Sequence, residues 1–247
     1  MEAEQVGKAA SEVVGGLRPP TSKSATTTPE ASLQADKRER LAAYRQAVTA
    51  NLDFYLKSRV PRLYQQACML SFMPDNPELA HTTLDKRGLF ITGPAGTGKT
   101  HLATALFRKN LGRTAFLKNG YPELSATWAS VPDVLLRLRA TFDGEGRESD
   151  VTAELANVRL LVLDDLGAEK ASEWTALALY TIISRRVNWM RPTIITSNLT
   201  LAEIDAADPR LASRLGGMTV LLLRGEDRRL AERTDAGTAD TTKGGER

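Results

Sequence analysis

The sequence is poor in the residues that build disulfides and metal clusters. It has one cysteine, Cys68, and two histidines, His81 and His101, in 247 residues. A lone cysteine forms neither an intrachain disulfide nor a cysteine-based zinc site, and two histidines alone do not make a metal cluster. Scarce cysteine favours a reducing compartment, and we expect a cytoplasmic protein.

Long apolar runs are also missing. No run approaches the ~20 residues of a membrane-spanning helix, so no membrane partner is expected. The opening stretch MEAEQVGKAASEVVGG contains acids and no basic segment followed by an apolar block, and we expect no secretory signal. Neither charge sign dominates: the net charge of +3 permits an anionic partner without requiring one.

Composition divides the chain into four parts. Residues 1–32 end in the serine- and threonine-rich TSKSATTTPEAS and are predicted to be a disordered tail. Residues 33–84 are predicted to be a helical region and a linker, and this part is predicted to dock a partner. Residues 85–231 alternate between apolar and helical patterns and are the predicted core, and residues 232–247 form a second predicted disordered tail.

The second part contains an apolar stripe with spacings of three and four residues. This spacing predicts an amphipathic helix that ends near Arg59, before Pro61, and a shorter helix is predicted around residues 63–69. The stripe consists of Leu41, Tyr44, Val48, Leu52 and Tyr55. It is the best available docking face for a partner, and the alternative is that it packs on the protein's own core.

Short apolar segments alternate with helical patterns in the core. Strands are predicted at residues 89–92, 126–131, 159–163, 193–196 and 218–223. Helices are predicted at 99–109, 132–142 and 172–187, and a capping box from Thr200 to Glu203 opens another. This alternation is typical of an α/β fold, a parallel sheet flanked by helices, in which ligands bind at the carboxyl ends of the strands.

The stretch GPAGTGKTH follows the first of these strands. Gly93, Gly98, Lys99 and Thr100 match the phosphate-loop pattern of glycine, four residues and Gly-Lys-Thr. Such a loop turns backbone N–H groups and a helix N-terminus toward phosphate oxygens. The predicted nucleotide-binding residues are Gly93, Pro94, Ala95, Gly96, Thr97, Gly98, Lys99, Thr100 and His101. Lys99 is predicted to reach the β- and γ-phosphates of ATP, and Thr100 to ligate Mg²⁺. The alternative is a glycine-rich turn, which the flanking strand and helix disfavour.

Two acids end a second predicted strand. In LLVLDD, Asp164 is predicted to hold hydrated Mg²⁺ and Asp165 to polarise the attacking water. The alternative is that both acids cap the loop before the next helix. Asp164 follows Lys99 by 65 positions, which leaves room for an extra strand and helix. This spacing favours an ATPase with a strand inserted between the two motifs over a simple nucleotide kinase.

Further polar residues follow the later strands. Asn198 ends TIITSN, where its amide could orient the lytic water or contact the γ-phosphate; alternatively it only turns the chain before Thr200. Arg210 and Arg214 are four residues apart and share one helix face. They are either solvated or act as arginine fingers on a neighbour's ATP, and their spacing does not decide between these roles.

In their sequences and their order along the chain, these motifs resemble those of the AAA+ ATPases of the DnaC/IstB type. These are the bacterial and phage helicase loaders and their transposon relatives. The resemblance runs from about Val60 to Arg229 and rests on GPAGTGKTH, LLVLDDLGAEKASEW, TIITSN, RLASRL and GEDRR. It implies a P-loop NTPase with an AAA+ core. By this resemblance Gly93 to Thr100 form the Walker A loop, and Asp164 and Asp165 are Walker B.

The same resemblance assigns the remaining site residues. It implies that Asn198 is sensor 1 and that Arg214 is an arginine finger acting in trans. Arg229 in GEDRR best fits sensor 2, with Arg228 as the alternative. Segment 60–64 resembles the stretch that lies beside the adenine.

Two features depart from most AAA+ proteins. Asp165 stands where glutamate is usual, and its shorter side chain leads us to expect slow hydrolysis. The 18 residues after Arg229 are too few for a helical lid, so we expect no C-terminal lid domain. A lidless core resembles the loader branch and argues against a replication initiator with a DNA-reading domain after the core.

The segment between the Walker motifs is the predicted DNA-binding region. In the loader branch, the helices that correspond to residues 118–147 face the pore of the assembly and grip single-stranded DNA. The basic and aromatic candidates are Lys118, Tyr121, Trp128, Arg137, Arg139 and Phe142. The alternative is a packed helix built on Leu135, Leu136 and Leu138 whose arginines are solvated.

The resemblance implies an ATP-dependent loader that delivers a hexameric replicative DNA helicase during DNA replication. Such a loader is expected to assemble with ATP into a spiral or ring homo-oligomer on single-stranded DNA. One alternative is a transposition regulator that assembles on DNA and recruits a transposase. Another is a nucleotide-gated adaptor that binds ATP with little hydrolysis. GEDRR and DDLGAEK favour the loader.

Overall fold

The computed structural model describes residues 29–69, 79, 82–118, 121–168 and 172–225. The helices are α1 (Pro29–Arg59), α2 (Lys99–Leu111), α3 (Val131–Ala140), α4 (Glu148–Asn157), α5 (Glu173–Asn188), α6 (Leu201–Ala207) and α7 (Pro209–Gly216). The strands are β1 (Leu89–Thr92), β2 (Ala115–Lys118), β3 (Tyr121–Leu124), β4 (Ala126–Ser130), β5 (Leu160–Leu166), β6 (Thr193–Ser197) and β7 (Thr219–Leu222).

Five strands form one sheet in the order β4-β5-β6-β1-β7. Every neighbouring pair is parallel, which confirms the predicted α/β fold. The spacing between the two motifs predicted an extra strand and helix there, and β4 and α3 occupy that stretch of sequence. In the sheet β4 lies beside β5, while β6, which follows both motifs in sequence, lies between β1 and β5.

Alternate residues of the central strands pack into two separate cores. Phe90 of β1 and Ile195 of β6 belong to the cluster that helices α3, α5 and α7 cover. Leu89 and Ile194, their neighbours in sequence, belong to the cluster that α2 covers. Because side chains alternate between the faces of a strand, the two clusters lie on opposite faces of the sheet. Burial on both faces explains why these strands are continuously apolar.

The end of α1 packs on the second of these clusters. Leu56 and Val60 are buried there, Leu52 and Tyr55 pack against it, and the Tyr55 hydroxyl donates to the carbonyl oxygen of Ala126. The later part of the apolar stripe therefore covers the protein's own core, as the alternative held. The side chain of Leu41 falls outside the described residues.

Several local features differ from the prediction. Around residues 63–69 the described chain contains the 3-10 turn Arg62–Tyr64 in place of the predicted helix. The antiparallel hairpin of β2 and β3 and helix α4 were not predicted. The last helical region divides into α6 and α7 because Asp208 caps the second helix and Pro209 occupies its first turn.

The predicted terminal parts are only partly visible. Helix α1 begins at Pro29, so the boundary predicted at residue 33 lies inside it. Residues 1–28 and the predicted tail 232–247 fall outside the described ranges. Among the helices that are described, none combines the length and the apolar character required to cross a membrane.

Candidate nucleotide-binding site

Three parallel strands end at the same edge of the sheet, and each is followed by polar residues. The register pairs Thr92 of β1 with Ser197 of β6, and Leu166 of β5 with the same serine. The loop GPAGTGKTH follows β1, Asp164 and Asp165 lie near the end of β5, and Asn198 follows β6. The sheet thereby gathers the three motifs that the sequence predicted to act together.

The loop after β1 has a backbone that only glycine adopts readily. Gly93, Gly96 and Gly98 have φ angles of 147°, 76° and 92°. A β-carbon at Gly93 would lie 2.2 Å from the carbonyl oxygen of Leu223. Gly98 is the N-cap of α2, so the positive end of that helix opens at the loop. A glycine-rich loop that ends at a helix N-terminus is suited to bind a chain of phosphate groups.

Lys99 and Thr100 begin α2 beside this loop. The Lys99 ammonium donates to the carbonyl oxygens of Gly93 at 2.8 Å and Pro94 at 2.6 Å. Its side chain is only 7% exposed, so the charge is held against the loop. The Thr100 hydroxyl hydrogen-bonds to the Asp164 carboxylate, which joins the loop to β5. Lys99 therefore lies beside the loop that would hold the phosphates, and the Thr100 hydroxyl lies beside Asp164, where it could ligate a cation.

Asp164 is the buried carboxylate of the site. Its Oδ1 accepts a 2.6 Å hydrogen bond from the Thr196 hydroxyl of β6. Burial raises the pKa of Asp164 above its ordinary value, and nearby Asp165 raises it further, against the opposing hydrogen bonds from Thr196 and Thr100. A desolvated carboxylate beside a threonine hydroxyl is an oxygen donor set that suits Mg²⁺. The charge of the ion would offset both the burial of the Asp164 carboxylate and its repulsion from Asp165.

Asp165 is directed differently from its neighbour by an irregularity in β5. The pairing of β5 with β6 shifts register between Leu163 and Leu166, and Asp165 has a φ angle of 66°. Aspartate tolerates this left-handed conformation better than most residues. Its Oδ1 accepts a 3.0 Å hydrogen bond from Asn198 Nδ2. The predicted water activator and the predicted sensor residue are therefore in direct contact.

Thr196 is a site residue that the sequence analysis missed. Its hydroxyl donates to Asp164 and accepts the backbone N–H of Asp165 at 2.8 Å. One threonine thus fixes both acids relative to β6. The signal was the pair of hydroxyl residues, Thr196 and Ser197, that ends the strand TIITS.

The two candidate fingers lie on α7 and meet one tyrosine of α5. Arg210 pairs with Asp208 at 3.5 Å, and its guanidinium lies 5.4 Å from the centroid of the Tyr180 ring. Arg214 hydrogen-bonds to the Tyr180 phenol and thereby lowers the pKa of that phenol. Arg214 is thus held by a neutral acceptor. Residues Arg228 and Arg229 lie outside the described part of the chain.

The predicted DNA-binding residues separate into different environments. Arg137 pairs with Glu154 at 2.7 Å, whereas Arg139 lies 5.6 Å from the centroid of the Trp174 ring. Phe142 is 64% exposed and its ring is 5.5 Å from that of Trp174. Leu135 and Leu138 are buried, as the packed-helix alternative required, but Leu136 is exposed. Trp128 packs against the core, and the side chain of Tyr121 is outside the described residues.

Comparison with known proteins identifies the family. The sequence profile of the IstB-like ATP binding proteins matches residues 34–220. The replicative helicase loader DnaC of Escherichia coli (strain K12) is 31% identical over 114 residues, 46% of this chain and 43% of that protein. DnaC of Buchnera aphidicola subsp. Baizongia pistaciae (strain Bp) is 34% identical over 125 residues, 49% and 47% of the two chains. The chain therefore matches less than half the length of these curated relatives.

Solved structures agree on the fold. Domain III of the replication initiation protein DnaA from Thermotoga maritima superposes with a TM-score of 0.51 at 19% identity, covering 73% of this chain and 71% of that one. This likeness, the parallel sheet and the position of the phosphate loop confirm the AAA+ architecture. With a family profile that spans most of the sequence, the chain belongs to the IstB-like ATP-binding proteins and has a P-loop AAA+ core of the type also found in DnaC.

Proposed function

We propose that the protein is a Mg²⁺-dependent ATPase that acts as a loader of a replicative DNA helicase. The observation that carries the ATPase part is the contact of Asn198 with Asp165, because it joins the predicted water activator to a polar sensor at the phosphate loop. The adjacent, buried Asp164 is held by Thr196 and Thr100, as a cation ligand needs to be.

Each residue of the site has a distinct chemical role in this proposal. Lys99 binds the β- and γ-phosphates, while Thr100 and Asp164 hold the metal ion. Mg²⁺, when bound, neutralises charge on the phosphate oxygens. Asp165 accepts the proton of the attacking water, and Asn198 keeps that carboxylate oriented through its amide N–H. The proposal is tested by ATP hydrolysis that requires Mg²⁺ and is lost in Asp165→Asn.

The loader assignment draws its support from the family and from its relatives named DnaC. A pull-down with a hexameric replicative helicase, with and without ATP, tests it. ATP-dependent capture of the helicase is expected. Capture of a transposase instead would favour a transposition regulator, which the IstB-like family match keeps as the second candidate.

Assembly on single-stranded DNA is the finer part of the proposal. Arg139 and Phe142 are exposed beside the half-buried Trp174, and a base could stack on this group while the guanidinium contacts phosphate. Arg214 would complete the ATP site of an adjacent subunit in a spiral or ring. If ATP binds but turnover stays negligible with single-stranded DNA, the protein acts as a nucleotide-gated adaptor.

A further inference from the structure

A second concave site lies at the amino ends of the parallel strands, whereas the phosphate loop lies at their carboxyl ends. Leu160 opens β5 there, and Pro192 lies directly before β6. Asn110 and Asn157, near the ends of α2 and α4, contribute to the walls of the same cleft. Its volume is about 460 Å³, within the range of small-molecule sites.

Three arginines from three separate segments line this cleft. Arg113 precedes β2, Arg159 precedes β5 and Arg191 precedes β6. The described lining contains no carboxylate. We call this site the arginine cleft.

The charge of two of these arginines is not neutralised by their partners in the described structure. Arg113 donates to the side-chain oxygen of Asn110 at 3.2 Å, and Arg191 donates to the carbonyl oxygen of Asn157. Both acceptors are neutral. A guanidinium carries five N–H donors, so each retains capacity for a further acceptor.

A fourth arginine lies behind the wall and adds fixed positive charge. Arg186 is fully buried and donates to five neutral oxygens, those of Thr193, Leu155, Ala156, Val158 and Pro192. Burial, with a smaller effect of Arg191, lowers the pKa of Arg186 to about 9, which leaves it charged at neutral pH. At the end of α4, Arg186 donates to the carbonyl oxygens of Leu155 and Ala156 and Arg191 to that of Asn157, whereas Arg113 contacts Asn110 of α2 instead.

We propose that the arginine cleft binds a phosphate group, carried either by a nucleotide or by a nucleic-acid strand, at a site separate from the phosphate loop. Guanidinium groups match phosphate oxygens in bidentate geometry. Met190, which is 54% exposed, and Leu84 add apolar wall against which a base or sugar can pack. A phosphate there would neutralise the charge of Arg113 and Arg191, whose described partners are neutral.

The test uses the full chain with Lys99→Ala, so that the phosphate loop contributes little. Binding of pyrophosphate is measured by calorimetry, and binding of a fluorescent oligothymidylate by anisotropy across a salt series. The cleft variant adds Arg113→Gln and Arg191→Gln. The matched control adds Arg38→Gln and Arg185→Gln, which remove two exposed arginines that do not line the cleft.

The cleft variant is expected to weaken binding of at least one probe about tenfold, and the control less than about twofold. Loss for pyrophosphate identifies a nucleotide-type phosphate. Loss for the oligonucleotide alone identifies a nucleic-acid backbone, with the slope of log K against log salt reduced by about 1.4 for two lost phosphate contacts. Equal effects of cleft and control variants, or no binding of either probe to the Lys99→Ala chain, overturn the proposal.

A second variant keeps the test decisive if the glutamine pair destabilises the fold. Arg113→Lys with Arg191→Lys preserves both charges and removes the bidentate fork. Its binding is expected to fall between those of the cleft variant and the Lys99→Ala chain. Binding as tight as in the Lys99→Ala chain would contradict a guanidinium-specific site. Melting temperatures of all variants are compared before binding is interpreted.

Discussion

The amide Nδ2 of Asn198 donates a 3.0 Å hydrogen bond to Oδ1 of Asp165. This contact joins the ends of β5 and β6, and it leaves the second carboxylate oxygen of Asp165 available to the site. Asp165 is part of a register shift and has a left-handed backbone, so its position depends on conformation as well as on side-chain length. The pair gives a direct test of the water-activating role.

Asp165→Asn is expected to bind ATP normally and to lose hydrolysis. Asparagine also tolerates the φ angle of 66° at this position, so the fold is preserved. Its amide does not accept a proton as a carboxylate does, and turnover should fall about 10²- to 10⁴-fold. Calorimetry and steady-state ATPase assays measure the two effects. Wild-type turnover would place the base elsewhere, for example at Glu169, which lies outside the described residues.

Asn198→Ala provides the companion measurement. It leaves the Asp165 carboxylate intact and removes only the group that orients it. We therefore expect a smaller loss of turnover than in Asp165→Asn, again with unchanged ATP affinity. A larger loss would mean that Asn198 itself contacts the reacting groups.

Lys99→Ala is expected to abolish tight ATP binding. The ammonium is held against the loop by two carbonyl oxygens, and the mutation removes its positive charge from the phosphate site. Lys109→Ala, at an exposed position later on the same helix, is the matched control and should bind ATP normally. Unchanged affinity of Lys99→Ala by calorimetry would contradict the phosphate-loop assignment.

Asp164→Asn should raise the melting temperature measured without nucleotide and metal. The folded pKa of Asp164 is raised mainly by burial, so the folded state binds this proton more tightly than the unfolded chain. The resulting penalty is fully present above the folded pKa and disappears as the pH falls below the unfolded value. The difference in melting temperature between Asp164→Asn and the wild type should therefore be clear at pH 7. It should become smaller as the pH approaches the ordinary aspartate pKa of 3.8.

The same Asp164→Asn variant should lose the additional stabilisation that Mg²⁺ gives to the ATP complex. Thermal melts with ATP, in the presence and absence of Mg²⁺, separate this effect from the pH-dependent gain. A lower melting temperature at pH 7 would show that the hydrogen bonds from Thr196 and Thr100 outweigh desolvation.

The sequence predicted the elements of the site better than their connections. β1, β5 and β6 were recognisable because continuous apolar runs are each followed by polar residues. The β2–β3 hairpin escaped detection because its strands are four residues each and one contains Pro122. The roles of Thr196 and Tyr180 depend on contacts between elements distant in sequence, β5 with β6 and α5 with α7, which periodicity does not encode.

Truncation of α1 separates docking from core packing. A chain that starts near Val60 loses Leu56, which is buried in the core, so we expect lower stability or insolubility. A chain that starts at Val48 keeps Leu52, Tyr55 and Leu56, and should fold and bind ATP. If the earlier stripe docks the helicase, this longer chain should fail to capture it in a pull-down. Full capture would place the docking surface elsewhere.

Arg214→Ala is expected to fold and bind ATP but to show little turnover. An arginine finger contributes roughly 10³ to 10⁵ in rate, whereas an exposed arginine without such a role changes stability by no more than about 0.5 kcal/mol. Tyr180→Phe is a graded companion because it keeps the ring beneath Arg210 and removes only the hydroxyl that contacts Arg214. Its effect should be smaller than that of Arg214→Ala and should appear in kcat, with ATP affinity unchanged.

A finger that acts in trans makes hydrolysis depend on neighbours, and this dependence is the decisive measurement. Wild-type specific activity should rise with protein concentration, because two subunits must meet to form one complete site. Mixing Arg214→Ala with Lys99→Ala should restore some hydrolysis, since the first protein brings an intact phosphate loop and the second an intact finger. Neither protein alone has both. If activity is independent of concentration and Arg214→Ala is fully active, Arg214 is only a partner of Tyr180. The finger role would then pass to Arg210 or be abandoned, together with the spiral or ring assembly.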